Sequence, residues 1–490
     1  MGLGIVMLWV VGWPKAIFTA LYVALTLLTI VVVIHEKRDP VKALAWIVVI
    51  ASIPALGMLL YVLVGRNLRK EKLFNRKEII DAKHLEQLCS EQIDNINNPE
   101  LEKADGIDRN REIIRLLLNN SKALLTLHNR VKILNNGKET FTALFEACRN
   151  AQSSIHLEYY IFENDRIGLR LAQILMERAQ AGVEVRLIYD AVGSWGLNVG
   201  LVRRMRRAGI QVECFMPVVF PWLTSRVNYR NHRKIVVVDG KIAFTGGINI
   251  AERYLTGTRF GKWRDIHLKI EGEAVRMLQA IFITDWYFLQ PQELLDNARY
   301  FPTSRIRTVS PMQIVSSGPD SDWAAIMQAF FAAISKARDR IYIASPYFMP
   351  NASLLTAMKV AALSGIDVRV MLPARSDSKV VLWATRSYVS ELLEAGIKVY
   401  FYQSGFNHSK VIIIDGTFSS VGSANMDIRS FEDNFEVSAI MYDRKIAGEL
   451  EHLFLEDLKH STEVTLEAWE ARPGYHATFE SVARLLSPLL

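Results

Sequence analysis

Cysteine is scarce in this chain of 490 residues: there are three, Cys89, Cys148 and Cys214, and no two stand as CxxC. That excludes a thiolate zinc site and a disulfide framework, and it fits a reducing compartment. Compositional bias is missing too. Half the residues are hydrophobic and 22% are charged, which rules out a disordered chain or a polyelectrolyte tail. Beyond the N-terminal region there is no basic stretch interleaved with aromatics and no nucleic-acid-binding module. At roughly 150 residues per domain the length allows about three units. The net charge of +7 and pI near 9.1 leave an anionic partner open: nucleic acid, a phospholipid surface or a phosphorylated metabolite.

What is present first is a pair of long uncharged runs. Ala16 to Ile34 spans 19 residues and Ala43 to Gly65 spans 23. About 20 apolar residues at 1.5 Å rise cross a hydrocarbon core of roughly 30 Å, so both runs are expected to be transmembrane helices. A cleaved signal peptide fits poorly, because no basic region precedes the first run. Gly2 to Trp13 is apolar but too short to span alone; it extends the first helix or lies at the interface. Pro54 predicts a kink in the second run. Arg66, Arg69, Lys70, Lys72, Arg76 and Lys77 follow that run, against Lys37, Arg38 and Lys42 between the two. The positive-inside rule then places the N-terminus, and everything after the second run, in the cytoplasm.

Residues 67–122 are charged and helix-prone with little sign of a packed core, and are read as a connector after an anchor of residues 1–66. VKILNNGKETFTALFEACRNA then predicts a strand, an Asn-Asn-Gly turn, a second strand and a helix. Beyond it one unit is written twice. SSIHLEYYIFEN, a helix and AGVEVRLIYD in residues 123–308 are echoed by DRIYIASPYFMP, a helix and SGIDVRVMLP in residues 309–490. Each copy goes on to a helix ending in AGI and a strand, AGIQVECF from Ala208 and AGIKVYFY from Ala395. Apolar strands alternating with amphipathic helices make this an α/β fold with a largely parallel, buried sheet. Two copies predict a pseudo-dimer about an internal two-fold axis.

After the AGI strand each copy carries the same constellation, H-x-K-x4-D-x6-G-x-x-N. In the first it is His232, Lys234, Asp239, Gly246 and Asn249; in the second, His408, Lys410, Asp415, Gly422 and Asn425. His and Lys two apart on a strand share a face, and Asp-Gly turns the strand. Each half is therefore expected to present an imidazole and an ammonium together at a sheet edge. The set suits phosphodiester chemistry. A non-bridging oxygen takes cations and hydrogen-bond donors from Lys234, Lys410, Asn249 and Asn425. One neutral imidazole can attack phosphorus while the other, protonated, gives its proton to the leaving alkoxide. An unperturbed histidine pKa of about 6.5 allows both states near neutrality. One such motif is a weak signal, but two at the same place in a repeat are a strong one. Each is followed by an acid in a strand, Asp265 and Glu436, suited to hold an imidazole in one tautomer. Asp239 and Asp415 belong to the same catalytic motif, yet their position across the strand predicts a mainly structural part beside the turn.

These paired histidine-lysine-aspartate motifs resemble the phospholipase D superfamily. With the two N-terminal runs, SSGPDSDW, ANMDIRSFEDNFEV and the terminal RLLSPLL, the chain is similar over essentially its whole length to the bacterial cardiolipin synthase family. The resemblance implies two phospholipase D-like α/β domains that share one site. It implies transfer of a phosphatidyl group between two phosphatidylglycerol molecules with release of glycerol, with no cofactor and no obligatory metal. The partners are then phosphatidylglycerol and cardiolipin in a bacterial cell membrane, not nucleic acid. By analogy with related enzymes His232 is the nucleophile and His408 the acid and base. One departure from the superfamily pattern is that Ser423 follows Gly422 whereas Gly247 follows Gly246. The first half thus lacks the phosphate-contacting hydroxyl expected of the second and offers backbone amides instead. Two further segments are candidates for the membrane interface. FMPVVFPWL, from Phe215 to Leu223, reads alternatively as a buried loop, and the C-terminal SVARLLSPLL as a helix docked on the core.

Overall fold

The computed structural model describes residues 2–35, 40–61, 82–95, 106–217, 229–292, 294, 297–485 and 487. The N-terminal helices belong to one compact unit, and the described residues from 82 onward to a second. In the first, α1 (Gly2–His35) is followed by α2 (Pro40–Ser52) and α3 (Pro54–Leu60). The second apolar run is thus two helices rather than one. Proline has no N–H to donate and clashes with the preceding turn, and Ile53 leaves helical geometry at φ −137° and ψ 72°. The kink predicted at Pro54 is this break. The N–H of Ala55, orphaned at the new helix start, donates to the Tyr22 hydroxyl at 2.9 Å and ties α3 to α1. Val33, Ile50 and Tyr61 are buried together, whereas Leu21, Leu28, Leu44 and Val48 each stay about 60% exposed. Side chains of α1 are described from residue 19, and among the described residues no helix is long and apolar enough to cross a membrane.

The connector is more than a link. α4 (Ala82–Asn95) precedes α5 (Ile107–Ser121), which buries Ile107, Ile113, Ile114, Leu117 and Leu118 in the core of the second half. That apolar stripe at helical spacing is masked in the sequence by the charged residues of the opposite face.

The first half contributes β1 (Leu125–Asn135), β2 (Ser154–Tyr159), β3 (Glu184–Asp190), β4 (Gln211–Phe215), β5 (Lys234–Val238), β6 (Ile242–Gly246), β7 (Lys262–Arg264) and β8 (Ile266–Gly272). The second contributes β9 (Val309–Ser317), β10 (Arg340–Ala344), β11 (Phe348–Met349), β12 (Asp367–Pro373), β13 (Lys398–Tyr402) and β14 (Gly405–Asn407). It continues through β15 (Val411–Ile414), β16 (Phe418–Gly422), β17 (Met426–Asp427), β18 (Glu436–Met441) and β19 (Ser461–Val464). Fifteen of these form one sheet, in the order β19-β13-β12-β10-β15-β16-β18-β9-β1-β8-β6-β5-β2-β3-β4.

Only β2-β3, β3-β4, β10-β12 and β12-β13 in that sheet are parallel, so the expectation of a largely parallel sheet is corrected. After the crossover units, each motif strand turns back through its Asp-Gly pair as a hairpin, β5-β6 and β15-β16, and pairs antiparallel on both sides. The halves join where β1 runs antiparallel to β9. A shared core crosses that join: Ile235, Ile266 and Leu268 cluster with Met312, Ile413 and Val437, together with apolar faces of the helices Ala274–Leu289 and Arg444–Leu458.

No second strand follows the Asn-Asn-Gly sequence. β1 runs directly into α6 (Asn136–Arg149). Asn136 adopts a left-handed φ of 68°, and a Cβ on Gly137 would lie 2.4 Å from the Tyr254 carbonyl oxygen. The pair therefore serves a helix entry pressed against backbone, not a hairpin. Of the two interfacial candidates, Phe215 and Met216 are buried, and residues 218–223 lie outside the described residues. The C-terminal helix Gly474–Leu485 docks on the second half, with Arg484 paired to Glu391 at 2.5 Å and Phe479 against Trp383.

Candidate active site

Strand β5 starts at Lys234 and is buried throughout, so His232 stands just before its N-terminal end; His408 and Lys410 stand likewise before β15. Neither pair lies at a sheet edge, as the sequence suggested. β5 runs between β6 and β2, and β15 between β16 and β10, so the imidazoles project from strand ends. The asparagine before each histidine sets the bend. Asn231 Oδ1 accepts from the Arg233 N–H at 3.1 Å, and Asn407 Oδ1 from the Ser409 N–H at 3.0 Å, an Asx turn in both cases. Sequence reasoning missed these residues, although NHRK and NHSK repeat the asparagine.

Each motif loop is pinned to the other half. The His232 N–H donates to the Phe435 carbonyl at 2.9 Å and the His408 N–H to the Arg264 carbonyl at 2.7 Å. The acids that follow those carbonyls cross over with them. His232 Nδ1 lies 2.9 and 3.0 Å from the two Glu436 oxygens, and His408 Nδ1 lies 2.7 Å from Asp265 Oδ2. Each carboxylate therefore serves the histidine of the opposite half. An Nδ1–H held in this way leaves Nε2 to carry the lone pair. The lysines fold back beneath: Lys234 Nζ donates to the His232 carbonyl at 2.6 Å and Lys410 Nζ to the His408 carbonyl at 2.7 Å. Lys410 Nζ also sits 3.0 and 3.1 Å from the two ring nitrogens of His408.

The residue after each motif glycine stands against its own half's acid. The Ser423 hydroxyl donates to Glu436 Oε2, and it accepts from the Val437 N–H at 3.0 Å. It is wholly buried, so the phosphate-contacting role expected of it is corrected: it holds a carboxylate. At the matching place, a Cβ on Gly247 would lie 2.1 Å from Asp265 Oδ1. A glycine is needed there because the shorter acid occupies that space. Asp239 and Asp415 sit at the far ends of their strands, away from the imidazoles. Both take left-handed backbone, φ 53° and 50°. Asp239 accepts from the N–H groups of Gln152, Ser153 and Ser154, and Asp415 from those of Arg338, Asp339 and Arg340. These two residues fasten the next strand and do not reach the site.

His232, His408, Asn249 and Asn425 line one cavity of about 280 Å³, with Tyr160, Arg230, Tyr254 and Trp263 among its walls. Asn249 donates to the Tyr254 hydroxyl at 2.7 Å and accepts from the Ile161 N–H at 3.1 Å. Among the described residues no group of three or more His, Cys, Asp or Glu side chains is placed to hold a metal ion. Burial lowers His232 to about 4, against the pull of Glu436, and lowers His408 too, with Lys410 and Lys234 adding to the effect. Burial likewise brings Lys234 down to about 7 and Lys410 to about 8. It raises Asp265 to about 6; at Glu436 burial is outweighed by His232, Lys234 and Ser423, and the carboxyl is held low. The unperturbed histidines assumed from sequence are thereby corrected. Several positive groups gathered out of water repel one another, and both imidazoles favour the neutral form. An anion placed between them would relieve that repulsion and favour a proton on one imidazole.

Two such half-sites on a duplicated α/β sheet define a phospholipase D-like enzyme. A family model described as cardiolipin synthase, PLD-like domain, matches residues 144–286 and 330–458, and one described as phospholipase D-nuclease N-terminal matches residues 24–66. The chain is 41% identical over 489 residues to the cardiolipin synthase of Alkalihalophilus pseudofirmus, covering 99% of this chain and 96% of that one. It is 44% identical over 481 residues to the cardiolipin synthase of Geobacillus thermodenitrificans, covering 98% and 95%. The phosphatidylserine synthase of Haemophilus influenzae superposes with a TM-score of 0.60 at 14% identity, over 78% of this chain and 100% of that one, a likeness of fold. The chain belongs to the cardiolipin synthase family, the phosphatidyltransferases of the phospholipase D superfamily.

Proposed function

We propose that this enzyme makes cardiolipin by moving a phosphatidyl group from one phosphatidylglycerol to another and releasing glycerol. The observation that carries the reading is the crossed pairing: two imidazoles from different halves line one cleft, each held through Nδ1 by the other half's acid. His232 Nε2 attacks phosphorus, the P–O bond to glycerol breaks, and His408 gives its proton to the departing oxygen. A terminal hydroxyl of a second phosphatidylglycerol then attacks the phosphatidyl-histidine. His408 takes the hydroxyl proton as the P–N bond breaks. Lys234, Lys410, Asn249 and Asn425 supply charge and donors to the non-bridging oxygens. The assignment of His232 as nucleophile is supported by Glu436, which stays ionised and so keeps Nδ1–H in place and stabilises the cation formed during attack.

Lipid substrates require a site at the membrane. In this reading residues 1–66 anchor the protein as two spans in the bacterial cell membrane, and the larger unit faces the cytoplasm. Exposed leucines on α1 and α2 and the basic cluster after the second run support it. Residues 123–308 and 309–490 are the two catalytic domains, and 67–122 a connector whose α5 completes the core of the second.

The test is purified protein with phosphatidylglycerol alone, scored for cardiolipin and glycerol. Equal amounts of both are expected, and none from His232→Ala. A folded wild-type protein that makes neither product rejects the reading.

A further inference from the structure

The two halves present unlike walls to the cleft. Counting from equivalent strand pairs, Ile155 with Val185 and Ile341 with Val368, Tyr347 takes the place of Ile161 and Asp377 that of Ser194. Counting from the motif glycines, Asp427 takes the place of Ala251. All three differences put acceptors or a phenol on the second half's side, and Tyr347, Asp377 and Asp427 all line the cavity. The Tyr347 hydroxyl shares its one proton between the two Asp377 oxygens, at 2.9 and 2.8 Å, and so fixes that carboxylate. Asn425 is 5% exposed and also lines the cavity, and its Oδ1 has no hydrogen-bond partner.

Carboxylate lone pairs beside the centre call for donors, beyond the Tyr347 hydroxyl on Asp377 and the Ser430 N–H that Asp427 takes at 2.7 Å as a helix cap. A buried amide oxygen without a partner calls for one too. On the lipid headgroup that the proposed reaction uses, the donors are hydroxyls. The wall also stands on the appropriate side. The Tyr347 ring is 6.4 Å from the His408 ring, and Asp377 is close enough to act on His408 electrostatically. In an in-line displacement with His232 as nucleophile, the leaving glycerol and the incoming alcohol occupy the His408 side in turn.

We propose that Tyr347, Asp377, Asp427 and Asn425 form a polyol subsite that holds the hydroxyl next to the reacting one, on the leaving glycerol and on the lipid acceptor alike. This rests on the transferase reading above and names what selects its acceptor. The subsite gives an alcohol with a neighbouring hydroxyl an advantage over water and over simple alcohols.

The experiment supplies full-length protein with phosphatidylglycerol and equal concentrations of 1-propanol and 1,2-propanediol, and measures the ratio of the two phosphatidyl alcohols. The wild type is expected to favour the diol. Asp377→Ala is expected to lower the ratio about tenfold, the loss of roughly one hydrogen bond to a charged group, and Tyr347→Phe to lower it less. A ratio read within one sample is insensitive to the fraction of protein that is folded. No diol preference in the wild type, or an unchanged ratio in both variants, overturns the subsite. A wild type that makes neither phosphatidyl alcohol nor cardiolipin overturns the transferase reading instead.

Discussion

The first and second halves agree where phosphorus is handled and differ in what stands behind and beside it. Both place Asn, His and Lys at the end of a motif strand, and both tie Asp239 or Asp415 to three backbone amides. They part at the supports. The first half sends a short acid, Asp265, past Gly247; the second sends a longer one, Glu436, braced by the Ser423 hydroxyl. The extra methylene and the extra hydroxyl go together, and the side chain that Gly247 lacks leaves the place that the Asp265 carboxylate fills. The environments then separate the two acids, with Asp265 raised to about 6 and Glu436 held low. A duplicated fold can thus keep its chemistry symmetric while giving its two imidazoles different partners, and different partners allow different roles.

The largest test of that division is the pair of histidines. His232→Asn and His408→Asn should each reduce cardiolipin formation on the order of 10³-fold or more, as for removal of a nucleophile or its acid. The halves separate when labelled phosphatidylglycerol is trapped by rapid quench. His408→Asn should retain label on the peptide bearing His232, and His232→Asn should retain none. Label on His408 in the His232→Asn protein exchanges the roles and sinks the link between Glu436 and the nucleophile.

A smaller pair of changes probes the supports. Gly247→Ser puts a Cβ where Asp265 Oδ1 now lies 2.1 Å away, so the carboxylate must leave His408. Misplacement of a catalytic group by about 1 Å costs roughly 10²-fold in rate, and kcat should fall by that order. Ser423→Gly removes one bond to Glu436 but leaves its contacts with His232, and about a tenfold loss or less is expected. Equal losses in the two variants would show that the glycine and the serine are interchangeable, contrary to the packing.

Much of this organisation was legible in the sequence, for a physical reason. The motif repeats because each half must build the same strand end, and the Pro54 break follows from a missing N–H. The crossed pairing was not legible: Glu436 lies 204 residues from His232, and Asp265 lies 143 from His408. No periodicity joins positions that meet only when two lobes close on each other. The Asp-Gly turns are visible in the sequence, but the neighbours that the returning strands β6 and β16 find, β8 and β18, are not, and those pairings make most of the sheet antiparallel. The buried stripe of α5 is hard to see in the sequence because charged residues fill the rest of its surface, and its partners belong to the second half.

The smallest predicted effect compares the two lysines through pH. Lys234 titrates at about 7 in the fold against an ordinary 10.5, and Lys410 at about 8. Between those values and 10.5 the unfolded chain binds protons that the folded one has shed. Stability contributed at these positions therefore rises with pH across the window. Asp265 acts oppositely and lower down: raised from 3.8 to about 6, it makes stability fall as pH rises through that interval. Lys234→Met replaces a penalised ammonium by an apolar side chain of similar length. The variant should melt above the wild type at pH 7, by about 3 °C, with the gap closing toward pH 10. Lys410→Met should show the same behaviour from about pH 8, with a smaller gap. A gap that stays constant from pH 7 to 10 would mean that neither ammonium is strained by its burial. The positive charge drawn out of water in this cleft, which the phosphodiester is inferred to relieve, would then lose its basis.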